Sequence, residues 1–590
     1  MLLVGRLLRS RGRTRVLGAI LTPAGVLLVA AIATGQIAGS PNDLFAVNQG
    51  FGEQVARAPI QMSADIPMTA TPRAKCGPGS RPEPGIQGRV PADSATNGLW
   101  CNATQVSHEG TSGGFRVYRY VDPAGHVCAF YDTTLLFPLN ALNPAGTAPG
   151  VAVVDMSNPA KPVRTDLLVA PAMLSPHESL NLNTARGLLS AVNGNPATSP
   201  GVVSTYDVRT DCRHPVLESN FPARLGHESG FALDGRTFYA TSTGQPGITA
   251  VDLTNPAEPR AVWQGQIVSH GMSLSDDGNR AYLADVGGNM VILDTSEIQA
   301  HKPNPHTREI SRVTWPLASI PQNAIPFTRN GHPFILEFDE YTAGTTGGGD
   351  HDNVGAGRII DIKDERNPRV IANLRLQVNQ HDDHAAASGD PGAFSPVQGY
   401  AAHYCNIPTR VDPLVVACGF IVSGLRVFDI SHIRAPKEIA YFVAPTKASI
   451  FNGYQGSDFD MSQPTFAPNR EIWFSDGPTG LYNVRVSESV WPQAANSLGA
   501  AAAPTGLPAS CNGKTRFAIK LSLPSGISRF RSVTLNGKRL RMSLHRRARY
   551  GSAVADLRRT GTVLRLVARV RLRNGRTVTL RRTYRPCAKR

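Results

Sequence analysis

The 590-residue sequence lacks the short motifs that identify several common classes of enzyme. No Cys-x-x-Cys pair is present, which removes the redox dithiol motif. No Gly-x-Ser-x-Gly segment is present either, so a serine hydrolase has no support. Beyond residue 33 no apolar run is long enough to cross a membrane. Charged residues make up only 18%, while 56 glycines and 45 prolines favour many short strands and turns over long helices.

The first 33 residues have the pattern of a signal peptide. A basic stretch precedes an apolar run of 18 residues from Val16 to Ala33, which ends in the small-x-small triplet Ala31-Ile32-Ala33. The basic residues are Arg6, Arg9, Arg11, Arg13 and Arg15. An uncleaved anchor helix is the alternative, although the run only just reaches spanning length and is interrupted by proline and glycine. We expect residues 1–33 to be removed and the protein to be secreted, either free or held at the cell envelope, and not membrane-spanning.

Export affects the interpretation of the eight cysteines. An even number in an oxidising compartment favours disulfide bonds over a zinc site. Cys511 and Cys587 bracket the last segment of the chain, and we expect them to pair. Cys405 and Cys418 would join two neighbouring strands. The sequence does not assign partners to the other four, which are Cys76, Cys101, Cys128 and Cys212.

A repeat occupies the middle of the chain: an apolar strand ends in an acidic residue, and a turn rich in Asn and Pro follows. The copies end at Asp155, Asp207, Asp252, Asp294, Asp361 and Asp429, with a degenerate last copy at Asn483. Their spacings of 52, 45, 42, 67, 68 and 54 residues fit four-stranded units of roughly 40–50 residues, with insertions in the two longest intervals. One such unit cannot bury both faces of its sheet alone. The repeats therefore predict a seven-bladed β-propeller over residues 101–490, rather than an open array of β-sandwiches.

Two copies of the repeat carry a family resemblance. GVAVVDMSNPAKP and GITAVDLTNPAEP, each with a hairpin of the ALDGRTFYATS type, resemble the LVIVD-repeat family of bacterial surface propellers over about residues 152–486. The resemblance implies a propeller fold and an exported location. It assigns no chemistry, so function has to be inferred from individual residues.

The regions that flank the repeats differ from them in composition. Residues 34–100 are rich in Pro and Gly, and we expect an irregular segment there. Residues 491–510 form an Ala/Pro linker. Residues 511–590 alternate apolar and polar positions around Asn-Gly turns, which predicts a small β-sandwich. The predicted fold class is therefore all-β: a seven-bladed β-propeller followed by a small C-terminal β-sandwich domain.

The C-terminal segment is strongly basic. Residues 511–590 contain 23 Lys and Arg and a single acid, although the whole chain carries only +16, so the repeats are net acidic. Along one predicted strand the alternating arginines Arg565, Arg569, Arg571 and Arg573 would form an anion-binding face. We expect a polyanion of the cell envelope or another surface partner as its ligand; few aromatics interleave, so specific nucleic-acid binding is not expected. The alternative is an arginine-rich surface that serves only solubility.

Histidines recur in register with the repeats. His177, His227 and His270 each stand just before a predicted innermost strand, 50 and 43 residues apart. In a propeller such positions surround one central channel, so these side chains would converge. Later repeats add the candidate ligands His381, His384, His403 and Glu340. Imidazole and carboxylate donors suit a divalent or redox-active transition metal. Glu178 and Glu228 would orient the imidazoles through hydrogen bonds without binding the metal themselves.

Three functions are compatible with these residues. The first is an exported or cell-surface propeller that binds a ligand through a metal in its channel, with a basic tail for envelope attachment. The second is a metal-free scaffold that binds a protein or glycan, in which the histidines only lock neighbouring blades together. The third is a metal-dependent oxidoreductase or hydrolase. The sequence does not decide among them, and whether the protein is an enzyme stays open.

Overall fold

The structure is a computed structural model that describes residues 52–63, 68–134, 148–193, 201–223, 226–242, 247–316, 318–340, 354–394, 399–446, 459–492, 516–523, 527–536, 538–545, 550–556, 564–573, 575 and 577–584. The chain divides into two compact units near residue 501. The predicted signal peptide and the predicted Cys511–Cys587 pair lie outside the described residues. Among the helices of the described ranges, none is both long and apolar enough to cross a membrane.

The described part of the first unit contains seven sheets, each built on an antiparallel meander, which we call blades 1 to 7 in chain order. Blade 1 comprises Val117–Val121, Val127–Asp132, Val151–Asp155 and Val163–Leu168. Blade 2 comprises Asn181–Asn183, Leu188–Val192, Val202–Asp207 and Val216–Pro222. Blade 3 comprises Ser229–Phe231, Thr237–Ala240, Ile248–Asp252 and Arg260–Gly265.

The next three blades repeat the same order of strands. Blade 4 comprises Met272–Leu274, Arg280–Asp285, Asn289–Asp294 and Arg308–Thr314. Blade 5 comprises Ile320–Arg329, His332–Glu340, Gly357–Asp361 and Arg369–Leu374. Blade 6 comprises Tyr404–Asn406, Val415–Phe420, Gly424–Asp429 and Lys437–Val443.

Blade 7 joins the two ends of the repeat region. Its first three strands are Thr465–Ala467, Glu471–Asp476 and Gly480–Val486. Its fourth strand, Ala103–Glu109, comes from before blade 1 and pairs antiparallel with Gly480–Val486. A strand from the start of the repeats therefore completes the last sheet.

Hydrogen bonds between the innermost strands close the blades into a ring. The donor and acceptor pairs are Asn181–Ser229 between blades 2 and 3, Ser273–Asn323 between blades 4 and 5, Asn406–Pro464 between blades 6 and 7, and Thr465–Val117 between blades 7 and 1. The remaining neighbours are connected by Arg116 with Glu178, by His227 with His270, and by Gln322, whose Nε2 donates to Oη of Tyr404 at 2.9 Å. The first strand of every blade therefore faces one central channel, which is the arrangement of a β-propeller.

The repeated Asp residues cap the turn between the third and fourth strands. In blades 1 to 6 the side chain accepts a hydrogen bond of 2.6–3.1 Å from the backbone N–H two residues later. The pairs are Asp155–Ser157, Asp207–Arg209, Asp252–Thr254, Asp294–Ser296, Asp361–Lys363 and Asp429–Ser431. A β-bulge precedes the Asp in each of these blades. The motif recurs because Asp stabilises this turn locally.

The N-terminal segment, expected to be irregular over residues 34–100, contributes strands to two blades. Ile60–Met62 pairs in parallel with Arg308–Thr314 of blade 4. Leu99–Cys101 pairs antiparallel with Lys437–Val443 of blade 6. Strands of three residues are too short to show an alternating pattern in a sequence, which is why the prediction missed them.

Three disulfide bonds fasten this unit: Cys76–Cys101, Cys128–Cys212 and Cys405–Cys418. Cys405 and Cys418 are cross-strand partners in blade 6.

Short helices lie at Ala92–Ala95, Pro171–Leu174, Ser296–Gln299 and His381–Ala386, with 3₁₀ turns at His177–Ser179, Gln377–Asn379, Pro391–Phe394 and Ile421–Ser423. The apolar core lies between neighbouring blades; Trp473 of blade 7, for example, packs in one cluster with Tyr131 of blade 1.

The second unit is a sandwich of two sheets. One sheet contains Arg516–Ser522, Tyr550–Asp556 and Ser543–His545, and the other contains Lys538–Arg539, Ile527–Leu535, Leu564–Leu572 and Thr577–Tyr584. Its core joins Ile519 and Leu521 of the first sheet to Val533, Leu566 and Val570 of the second. The predicted all-β fold, a propeller followed by a small sandwich, is confirmed.

Candidate metal centre

Four histidines from four blades stand at the same point of the repeat. His177, His227, His270 and His403 lie just before the innermost strands of blades 2, 3, 4 and 6. Blade 5 supplies Glu340 instead, which pairs with the first residue of that blade's innermost strand. Together with Glu178, we call these residues the histidine cluster: His177, Glu178, His227, His270, Glu340 and His403.

The carboxylate of Glu178 lies among the imidazoles. Its Oε2 atom is 2.9 Å from Nε2 of His227 and 3.6 Å from Nε2 of His270, while its Oε1 atom is 3.0 Å from Nε2 of His403. The Nε2 atoms of His227 and His270 are 2.8 Å apart. Two ligands bound side by side to one ion, each at about 2.1 Å, lie about 3 Å apart. The spacing is therefore that of donors directed at a shared centre.

Glu340 and His177 complete the set. Glu340 places Oε1 3.3 Å from Nε2 of His270 and Oε2 3.0 Å from Nε2 of His403. Nδ1 of His177 is 3.9 Å from Oε2 of Glu178. Two groups of three, both containing Glu178, have all their ligand atoms within 4.8 Å of one another: one adds His177 and His227, the other Glu340 and His403. These groups could hold a metal.

Backbone carbonyls orient two of the imidazoles. Nδ1 of His270 is 2.8 Å from the carbonyl of Pro321, and Nδ1 of His403 is 2.7 Å from the carbonyl of Met461. A neutral imidazole that donates through Nδ1–H presents the lone pair of Nε2 on its other side. Both Nε2 atoms point into the cluster, so in the neutral imidazoles these hydrogen bonds favour the tautomer that can bind a metal.

His177 adopts an unfavourable backbone conformation. Its φ angle is 51°, in the left-handed region, which costs roughly 1–2 kcal/mol for a residue with a Cβ atom. Its ring packs against those of Phe115 and His227, with both centroid distances 4.4 Å. These contacts hold the imidazole of His177 towards the channel.

Burial and mutual proximity set the protonation of the cluster. Burial, reinforced by His227, lowers the pKa of both His177 and His270 to about 3, so both imidazoles are neutral. Burial also lowers the pKa of His403, but the two adjacent carboxylates outweigh it and raise that pKa to about 9. Burial raises the pKa of Glu340 to about 7 against the effect of His403. Burial raises the pKa of Glu178 too, but His227 and His177 outweigh it and hold that pKa well below its usual value.

Three ligand atoms of the cluster are buried and form no well-aligned hydrogen bond among the described residues: Nδ1 of His177, and Oε2 of Glu178 and Nε2 of His403, whose contacts are the ion pairs within the cluster. A buried polar atom left unpaired costs about 1–3 kcal/mol. A cation at the centre would satisfy all three. The side chain of His227 is 20% exposed, so the cluster is open to solvent on that side.

A polar layer that the sequence analysis did not foresee supports the cluster. The carboxylate of Glu228 accepts hydrogen bonds from Arg116, from Asn323 Nδ2 at 2.6 Å and from Tyr404 Oη at 2.8 Å. Nε of Arg116 also donates to the backbone carbonyl of Glu178 at 2.7 Å. Arg116 directly precedes the innermost strand of blade 1, the point of the repeat where other blades carry histidine. This position in the repeat was the sequence signal that could have identified Arg116.

The two glutamates predicted to orient the imidazoles have different positions. Glu178 belongs to the ligand atoms themselves, whereas Glu228 holds Arg116 and Tyr404 beneath the cluster. The prediction placed them together because both follow a histidine directly. The left-handed backbone of His177 turns the next side chain inward, a feature that is invisible in the sequence.

His381 and His384 do not join the cluster. They lie on the helix His381–Ala386, which follows the outermost strand of blade 5, and within the described ranges neither belongs to a converging group of ligand atoms. The side chain of His381 is 56% exposed. The pair therefore lies outside the histidine cluster.

A further group of possible ligand atoms belongs to blade 1 and its neighbour: Asp122, His126 and Asp211. Oδ1 of Asp122 already accepts three backbone N–H groups from the following turn, and Oδ2 binds His126. These hydrogen bonds account for the group as a turn-stabilising contact.

The predicted anion-binding arginines belong to one strand and the turn after it in the second unit. Arg569 and Arg573 are exposed, and Arg571 is half-buried, while Leu566, Ala568 and Val570 between them are buried. Arg565 lies in the same strand. Arg571 faces the exposed Arg529 on the neighbouring strand. Among the described residues none of Arg529, Arg569, Arg571 and Arg573 has an acidic partner.

A family model described as the LVIVD repeat matches residues 270–298. The match begins at His270 of the cluster and covers the first three strands of blade 4. This part of the chain carries an LVIVD repeat. The match confirms the resemblance inferred from the other copies of the repeat, and no curated protein matches the chain.

Proposed function

We propose that this LVIVD-repeat protein is an exported or cell-surface propeller that binds a ligand through a metal held in its central channel. The observation that carries the proposal is the placement of Glu178, whose carboxylate lies within 3.0 Å of imidazole nitrogens from blades 3 and 6. The three disulfide bonds support an oxidising location. The C-terminal unit would attach the protein to anionic polymers of the cell envelope.

The geometry favours a metal site over histidines that only lock blades together. A lock needs one hydrogen bond from each imidazole to a neighbouring blade, and Nδ1 of His270 and of His403 already makes that bond. The Nε2 atoms are then left over, and they converge. Neutral imidazoles with carboxylates are the donors preferred by zinc, copper, iron and manganese. Such an ion would act as a Lewis acid on a bound ligand, which suits ligand capture and hydrolytic or redox chemistry alike.

Elemental analysis of the purified protein tests the metal site. We expect a stoichiometric transition metal in the wild type and its loss in the double variant His227→Ala/His270→Ala. The double variant His381→Ala/His384→Ala is the matched control, since it removes two imidazoles outside the cluster and should keep the metal. Circular dichroism checks that each variant is folded. A wild-type protein that remains metal-free after incubation with zinc, copper, iron or manganese would refute the proposal and leave the interaction scaffold.

The unpaired arginines of the second unit support envelope attachment. An exposed basic face binds polyanions with an affinity that falls as salt screens the charges. We expect the wild-type protein to sediment with isolated cell envelopes at low salt and to be released at high salt. The variant Arg529→Gln/Arg569→Gln/Arg571→Gln/Arg573→Gln should stay in the supernatant at all salt concentrations. Equal sedimentation of both proteins would show that these arginines serve only solubility.

A further inference from the structure

We infer that the histidine cluster is a binuclear centre in which Glu178 and Glu340 bridge two transition-metal ions. The inference rests on the proposed metal site and adds a second ion, with His403 as its imidazole ligand. The first ion would take His177, His227 and His270.

Each carboxylate divides its two oxygens between the same two sides. Glu178 directs Oε2 to His227 and His270, and Oε1 to His403. Glu340 directs Oε1 to His270 and Oε2 to His403. Both carboxylates thus place one oxygen 3.0 Å from Nε2 of the same imidazole, that of His403, while the other oxygen faces the remaining histidines. Each carboxylate is therefore placed to bridge two ions, one bound by three histidines and the other bound by His403 alone.

Among the described residues, no single group of ligand atoms within 4.8 Å of one another contains all six side chains of the cluster. Opposite ligands of a single ion lie at most about 4.2 Å apart, twice a bond of about 2.1 Å. The cluster yields two separate groups within 4.8 Å, one with His177 and His227 and the other with His403 and Glu340. Only Glu178 is common to both groups. Two ions about 3.5–4 Å apart, the usual separation in two-metal sites, match this division.

The charge balance points the same way. Glu178 and Glu340 are buried, and among the described residues neither forms an ion pair with Arg or Lys; their charged contacts are histidines. The guanidinium of Arg116, which donates to the backbone carbonyl of Glu178, is bonded to the carboxylate of Glu228. With a single ion at His177, His227 and His270, Nε2 of His403 would stay 3.0 Å from one oxygen of each carboxylate. A second ion would bind Nε2 and these two oxygens.

Cobalt titration of the metal-free protein, followed by calorimetry and visible absorption, tests the inference. We expect two Co²⁺ per wild-type chain and one per His403→Ala chain, with the absorption of the remaining ion retained. The His381→Ala variant is the control and should bind two. If His403→Ala does not fold, Glu340→Gln replaces it and should weaken the second ion at least tenfold and the first ion less, because the first ion keeps three histidines and Glu178.

The outcomes separate this inference from the proposed function. One Co²⁺ per wild-type chain, abolished by His227→Ala/His270→Ala, would overturn the binuclear centre and keep the metal site. No bound Co²⁺ and no other transition metal would overturn both. Two Co²⁺ in a folded His403→Ala variant would place the second ion elsewhere and overturn the assignment to His403.

Discussion

The arginines of the propeller and those of the C-terminal unit differ in their charged partners. In the propeller, buried arginines each bridge two carboxylates: Arg312 binds Asp285 and Glu309, Arg358 binds Glu337 and Asp339, and Arg426 binds Glu83 and Glu438. In the C-terminal unit, Arg571 faces another arginine across the strands. Burial explains the difference, because a charge inside a protein is tolerated only with its partners, whereas an exposed charge is solvated.

Against this background the histidine cluster is an exception within the propeller. The buried carboxylates of Glu178 and Glu340 contact imidazoles, whereas the buried carboxylates of the preceding paragraph contact arginines. We therefore expect the cluster to bind added cations, and the basic face of the C-terminal unit to bind added anions. Both expectations follow from the same comparison, since in each region charges of one sign lack partners of the opposite sign that the rest of the propeller provides.

The largest expected effect concerns a compensated arginine. Arg358 is fully buried between Glu337 and Asp339, and its guanidinium lies 4.1 Å from the ring centroid of Trp315. Arg358→Ala leaves two buried carboxylates unpaired and should lower the free energy of unfolding by about 3–5 kcal/mol. Denaturant unfolding measures this. Arg260→Ala is the control: its side chain is 75% exposed, and its pair with Asp252 should contribute less than about 1 kcal/mol.

A buried acid without such compensation should make stability depend on pH. Asp132 of blade 1 accepts the backbone N–H groups of Phe115 and Arg116, and burial, outweighing these bonds, raises its pKa to about 7. The folded state then binds a proton more tightly than the unfolded chain, whose Asp titrates near 4. Stability from this group is complete below pH 4 and is lost as the pH rises to 7, by an amount of order 1.4 kcal/mol per unit of pKa difference.

The variant Asp132→Asn isolates this contribution. Its unfolding free energy should fall less steeply between pH 4 and 7 than that of the wild type, whatever its absolute stability. Parallel pH profiles for the two proteins would show that Asp132 is ionised in the folded state at pH 4–7.

Most of the blade architecture could be predicted because the Asp-capped turn is local. The hydrogen bond from Asp to the N–H two residues later leaves a fixed pattern in the sequence, and its spacing counts the blades. The strands Ile60–Met62 and Leu99–Cys101 left no such pattern, because their pairing partners are more than 200 residues away in the chain. Non-local pairing without a turn motif is invisible to a periodicity argument.

The site could be predicted only where the register of the repeat is kept. His177, His227 and His270 were recognised by their spacing, and they converge. His384 lies outside the cluster, on the helix inserted after blade 5, where the register of the repeat is not kept. Arg116 keeps the register, but an arginine at that position does not match the histidine pattern from which the site was predicted.

Removal of the metal should lower the stability of the protein only where the histidine cluster is intact. An ion that binds only the folded state, at a free concentration 100 times its dissociation constant, adds about 2.7 kcal/mol to the free energy of unfolding. We therefore expect a chelator to lower the unfolding temperature of the wild type and to leave that of His227→Ala/His270→Ala unchanged. An equal shift in both proteins would mean that the chelator acts at some other place.

The smallest expected effect concerns the turn that defines the repeat. Oδ1 of Asp429 accepts the N–H of Ser431 at 2.8 Å, and its contact with Lys437 is mostly exposed and adds little. Asp429→Ala should lower the free energy of unfolding by about 1 kcal/mol, the net worth of one such hydrogen bond. Asp429→Asn keeps the acceptor and loses the charge, so it should recover most of that loss. If Asp429→Asn proves as destabilising as Asp429→Ala, the negative charge and not the turn hydrogen bond explains why the repeat carries Asp. Compensation of charge would then stabilise the propeller at its surface as well as in its interior.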